Sequence, residues 1–177
     1  MSLYQNIAKI GTQLFKKKTV FKYGFNLSPM YRRSTGRIVH VSEDLMEVRI
    51  KLPLNYKNRN YVNSIFGGSM FSAVDPIPMV QLINLIGDEY VVWDKSAEIA
   101  FKRPARTNLY ARFNYTPKEL DMIREQVAQE KEIEIVKTTL LTNKEGDATF
   151  CEVKKVIYIA DKAFYKEKRK HKKAPKT

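Results

Sequence analysis

Residues 60–87 read NYVNSIFGGSMFSAVDPIPMVQLINLIG, and this stretch decides the fold. From position 64 to 86 it is nearly all apolar and carries one charged residue, Asp75, so length and composition predict a long buried helix with a single carboxylate. Gly67 and Gly68 open the apolar run, and Asp75 follows eight positions after Gly67. A helix that starts at Gly67 leaves its backbone N–H without an intrahelical partner, free to hydrogen-bond a carbonyl oxygen. Asp75 then lies about 12 Å further along, at roughly 1.5 Å per residue. One small ligand cannot reach both on a single helix. A two-fold dimer that sets Gly67 of one copy beside Asp75 of the other removes the difficulty.

Each residue of this stretch also admits a purely structural reading. A carboxylate inside an apolar helix costs several kcal/mol unless it is paired or neutralised, which gives Asp75 functional weight. Yet Asp75 precedes Pro76, and an Asp-Pro pair is a good N-cap and first-turn signal for a helix that restarts after a break. Pro76 and Pro78 lack backbone donors and predict a kink or interruption. The glycine pair can simply permit close packing of helix on sheet, and Asn60 can serve its own loop.

Outward from this helix the period changes. Ile38–Val41 and Leu45–Leu52 alternate as strands joined by a turn at Ser42, Glu43 and Asp44. Tyr90–Trp93, Ser96–Phe101 and Asn108–Tyr115 read as further strands, followed by Glu132–Thr142 and Thr149–Ala160 around a turn containing Gly146. Thr116, Pro117 and Glu119 supply the N-cap, first-turn proline and capping acid of a helix near 117–129, with Leu120, Ile123 and Val127 on its packing face. Upstream, Leu3, Ile7, Ile10 and Leu14 have helical spacing, and Ser28 and Pro29 open a second short helix that ends near Gly36. Antiparallel strands around one buried helix make an α+β domain. The expected organisation is a helical segment over 1–35 that packs on the domain, the domain itself over 36–160, and a disordered basic tail over 161–177.

The 177 residues, 44% of them apolar, can bury one ordinary core. The net charge of +13 suggests nucleic acid until it is mapped. Residues 1–34 and 162–177 carry +7 each, which leaves the globular part at −1. No specific nucleic-acid site is therefore expected. The basic ends are candidates for contact with a membrane surface. A single cysteine, Cys151, excludes an internal disulfide, and no long apolar leader opens the chain, so a cytoplasmic protein is expected.

The spacing of Asn60, Gly67, Gly68 and Asp75 resembles the active-site segment of the hotdog-fold thioesterase superfamily, in particular its uncharacterised thioesterase-like branches. The resemblance runs over about residues 36–160, through VVWDKSAEIAFKRPAR. It implies the hotdog fold, an antiparallel sheet wrapped around the long central helix. It also implies an acyl-CoA thioesterase that works as a homodimer, which in this superfamily often pairs into tetramers. The Gly67 amide would then polarise the thioester carbonyl, Asp75 of the facing copy would act as general base or nucleophile, and Asn60 would position the water. Gly68 and Phe66 would border the substrate. Asp94 falls where related thioesterases place a polar residue, although an exposed strand residue paired with Lys95 fits as well. Lys102, Arg103 and Arg106 would hold coenzyme A phosphates, or form a solvated turn.

Coenzyme A enters only as part of the substrate, and no cofactor or metal is implied. His40 and His171 are the only histidines, and there is no G-x-S-x-G elbow for a serine triad. Phe66 stands where many superfamily members carry histidine, which argues against a histidine-dependent hydratase. Phe66 and Trp93 are expected as core or tunnel-lining aromatics. Two other functions remain open on the same residues: an acyl-CoA or fatty-acyl binding protein without turnover, and a basic-tailed adaptor for membrane or RNA.

Overall fold

The structure, a computed structural model, describes residues 16–173. The amphipathic stretch around Leu3 to Leu14 lies outside the described residues. Two short helices come first, α1 (Lys17–Leu27) and α2 (Pro29–Arg33), with Pro29 in the first turn of the second. Phe21 and Tyr31 are their buried anchors, and Phe25 packs edge-on against Tyr31 at 5.3 Å. Asn26 ties α1 to the sheet edge, accepting from Ile38 N and donating to Ile38 O at 2.9 Å each.

Six strands follow: β1 (Arg37–Val41), β2 (Glu47–Leu52), β3 (Tyr90–Phe101), β4 (Leu109–Asn114), β5 (Glu132–Thr142) and β6 (Thr149–Asp161). They form one antiparallel sheet in the order β1-β2-β4-β5-β6-β3. β3 runs along one edge, paired over its whole length with β6. Between β4 and β5 the ladder narrows to Tyr110 opposite Thr142.

The apolar stretch fills the hollow of this sheet as two helices, α3 (Gly67–Val74) and α4 (Pro76–Ile86), broken at Asp75 as the prolines predict. Around α3 the core holds Tyr31, Ile38, Val48, Ile50, Ile65, Met70, Ala73, Leu109 and Val153. Around the end of α4 a second cluster joins Leu82 and Ile86 to Ile157, Ile159 and the packing face of α5 (Pro117–Glu130). Thr116 Oγ1 accepts from Glu119 N at 3.1 Å, and Leu120, Ile123 and Val127 are buried.

Three expectations need correction. The stretches 90–93 and 96–101 are one strand, because Lys95 is an extra residue in β3: Asp94 pairs with Ile157 and Ser96 with Val156. Trp93 belongs to the outer face of the sheet rather than the core, stacked on Tyr158 at 4.8 Å and edge-on to Tyr165 at 4.9 Å. Finally, the expected disordered tail is a helix, α6 (Lys162–Lys173), over most of its length. Composition supplies few apolar groups there, but those present are used: Tyr165 joins the Trp93 stack, and Lys168 bonds Glu132 beside the hydroxyl of Tyr158. Phe164 N donates to Asp161 Oδ1 at 2.8 Å, which caps the first turn.

Candidate active site

Gly67 and Gly68 are the first two residues of α3, as the sequence predicts. Phe66 caps the helix only through its carbonyl, which accepts from Ser69 N at 3.0 Å and Met70 N at 3.2 Å. Neither glycine amide donates a hydrogen bond among the described residues. Aromatic rings crowd both. A Cβ on Gly67 would meet the Phe101 ring at 2.6 Å, and one on Gly68 would collide with the Phe66 ring. Both rings are more than half exposed, Phe66 at 57% and Phe101 at 56%, so Phe66 is not a core aromatic.

The loop after β3 comes to this helix end because Ile65 N donates to Ala105 O at 2.8 Å. Lys102, Arg103 and Arg106 of this loop are all exposed. Lys102 ion-pairs Glu152 at 3.3 Å, and Arg103 stands over the Phe150 ring at 5.8 Å. Asn60 is committed to its own loop: its Oδ1 accepts from Val62 N, Ser64 N and Ser64 Oγ at 3.1, 3.0 and 3.2 Å. That bonding is the ordinary loop role of such a residue.

The other pole of the site is the break. Asp75 has helical backbone angles and donates its own N–H to Phe71 O at 2.9 Å, and its side chain caps nothing. The capping explanation for Asp75 therefore does not hold. Its carboxylate instead meets a residue that the motif did not reveal. Lys155 of β6, 2% exposed, donates to Asp75 Oδ1 at 2.6 Å and to Asp75 O at 2.8 Å. The same ammonium pairs with Asp94 Oδ2 at 2.5 Å. The alternative partner for Asp94, Lys95, points to the other face and bonds Glu134.

Two tyrosines complete the clamp. Tyr31 OH donates to Ala73 O and Tyr115 OH to Pro78 O, each at 3.0 Å. Side chains from α2, from β6 and from the end of β4 thus bond the carbonyls of Ala73, Asp75 and Pro78 around the break. Burial pushes the Asp94 carboxyl above the usual carboxylate range, and the neighbouring Asp75 charge pushes it further, against the pull of Lys155. Asp94 Oδ1 is buried with no hydrogen-bond partner among the described residues.

Lys155 had a legible signal. In β6 the buried residues Cys151, Val153, Ile157 and Ile159 alternate, and Lys155 is in phase with them. Cys151 itself is no nucleophile candidate, because burial raises its thiol to about 11. Among the described residues no group of His, Cys, Asp or Glu is arranged to hold a metal ion. Two open concavities, of about 410 and 520 Å³, lie by α5 and by α6 and border neither Gly67 nor Asp75.

Comparison with known proteins places the fold. A family model described as a domain of unknown function, DUF4442, matches residues 16–159. Among solved structures, a Pseudomonas aeruginosa protein of unknown function described as a probable thioesterase superposes with a TM-score of 0.67 at 17% identity, covering 91% of this chain and 98% of its own. A Haemophilus influenzae thioesterase gives 0.52 at 12% identity, with 91% and 92% covered. A variant of a Staphylococcus aureus thioesterase gives 0.54 at 12% identity, with 75% and 99% covered. At these identities the likeness is one of fold, and that fold is the hotdog fold. No curated protein matches the chain by sequence.

Proposed function

The chain belongs to the DUF4442 family, and we propose that it is an acyl-thioester hydrolase acting on acyl-CoA as a homodimer. One observation carries the proposal: a single helix line holds two unpartnered amides at its open end and a half-exposed carboxylate, 41% exposed, at a clamped break. The Gly67 amide of one copy stabilises the oxygen that becomes negative as the thioester is attacked. Asp75 of the other copy removes a proton from water, or attacks the carbonyl itself. The two-copy arrangement is supported by the span of about 12 Å between the two groups within one chain. Exposed Phe66 and Phe101 would meet the acyl group or the facing copy. Arg106, with no ion pair among the described residues, is the freest of the loop cations for a coenzyme A phosphate.

A second function, acyl-CoA binding without turnover, draws on the rings that lean over Gly67 and Gly68. Thiol release from short, medium, long and aromatic acyl-CoAs separates the two. Turnover by the wild type is expected, with a loss of about 10²–10⁴-fold in Asp75→Asn. An undiminished rate in that variant excludes Asp75 from the chemistry, and binding without any thiol release by the wild type supports the second function.

A further inference from the structure

A fully buried lysine is the least expected group in this core. An ammonium deprived of water costs several kcal/mol unless every donor is satisfied. Lys155 has three N–H donors and three acceptors within 2.8 Å: Asp75 Oδ1, Asp75 O and Asp94 Oδ2. Two of these belong to one residue. By bonding the side chain and the main-chain carbonyl of Asp75 together, the ammonium fixes the carboxylate's orientation relative to its own helix. An ion pair serving only to neutralise charge needs no bond to the carbonyl. The hydrogen bonds also divide the carboxylate: Oδ1 is held, and Oδ2 accepts none among the described residues. Because Asp75 is 41% exposed, that division leaves one oxygen available on the open side.

We propose that Lys155 is the positioning residue of this site: it anchors Asp75 through Oδ1 so that Oδ2 is presented as the reacting oxygen, with Asp94 as the counter-carboxylate that keeps the ammonium in place. The proposal rests on the thioesterase function assigned to Asp75 above. The titratable groups around Asp75 are Lys155 from β6, Asp94 from β3, Tyr31 on the Ala73 carbonyl and Tyr115 on the Pro78 carbonyl. Lys155 is the only cation that bonds Asp75 or Asp94; Arg37 acts on Tyr31, and Lys137, over the Tyr115 ring at 4.0 Å, is paired with Glu119. Removing Lys155 releases Oδ1, so the carboxylate is no longer held in one orientation relative to its helix. Removing Asp94 leaves both bonds from Lys155 to Asp75 in place. A purely structural role would lower stability in both variants and leave kcat per folded molecule unchanged.

The test compares wild type, Lys155→Met, Asp94→Asn and the double variant. Two readouts are followed: stability in urea, and thiol release resolved into kcat and KM per folded molecule. In Lys155→Met kcat is expected to fall about 10²-fold with KM little changed, as for a reacting group displaced from its place. In Asp94→Asn, which keeps both bonds from Lys155 to Asp75, the fall in kcat should be smaller. If Lys155→Met does not fold, the double variant, which keeps the net charge of the wild-type cluster, takes its place. A kcat equal to that of the wild type without Lys155 overturns the proposal, as does a loss no larger than in Asp94→Asn. Absence of thiol release by the wild type would instead remove the thioesterase function, and a crystal structure of the double variant would then decide the role of Lys155: Asp75 oxygens in their wild-type places overturn it.

Discussion

The two poles of the central helix pair are built on opposite terms. At Gly67 the chain is open, with two free amides, rings lying loosely over them and cations in solvent. At Asp75 the chain is over-determined, since Tyr31, Lys155 and Tyr115 each bond a carbonyl near the break. A break in a helix is thus the most tightly held part of this site. A regular helix start is its most permissive part. The contrast teaches that side chains from three other elements can grip the helix carbonyls around an interruption, so that a carboxylate is aimed by the scaffold rather than by its own rotamer preference.

Substitutions can break or sharpen this contrast, here ranked by their expected effect on stability in urea denaturation. Ile77 is fully buried in the first turn of α4, and Ile77→Ala should cost about 2–5 kcal/mol. Phe66→Ala, which removes a larger side chain at the open pole, should stay within about 0.5 kcal/mol. Comparable losses would mean that the poles do not differ.

A smaller effect is expected from the clamp hydroxyls. Tyr31→Phe keeps the ring in its buried place and deletes the bond to Ala73 O, at a cost of about 1 kcal/mol. Tyr115→Phe should cost about as much. The two hydroxyls share no acceptor, so the double variant should be additive to about 0.5 kcal/mol. Marked coupling would show that the clamp acts as one unit.

Gly67→Pro is expected to separate stability from activity. Gly67 is the first helical residue, where proline is tolerated, and Phe66 before it has φ −60° and ψ 131°, which suit a residue preceding proline. The substitution deletes one N–H and adds carbons that must displace the exposed Phe101 ring, so it is read against Gly67→Ala, which adds the Cβ and keeps the N–H; the two should agree in stability to about 1 kcal/mol. Thiol release should nevertheless fall about 10²–10³-fold, as for a lost oxyanion donor. A fall in stability that matched the fall in rate would assign Gly67 to packing instead.

Much of this was legible in the chain, and the rest was not for definable reasons. Strand alternation and the Thr116-Pro117-Glu119 start are local signals, and they located β1, β2, β4 and α5 to within a residue or two. The prolines announced the break. The identity of the partner on Asp75 depends instead on which strand crosses the helix at that height, and Lys155 lies 80 residues away. Its in-phase position among buried β6 residues was the clue, visible only once β6 was known to face the helix. The helix at 162–173 was hidden for a similar reason: its anchors, Trp93, Glu132 and Tyr158, belong to other strands.

The extra residue Lys95 in β3 has a consequence for aligning this chain with its relatives. Asp94 faces Lys155, and Ala97 and Ile99 lie on that same face, only because one residue is skipped between them. Against a relative whose edge strand is regular, an ungapped alignment can be correct on one side of Lys95 only. A one-position gap there is needed before any carboxylate can be matched to Asp94. The position of that acid is recorded in how many residues precede it along the strand, and a search that weighs residue identity alone will miss it.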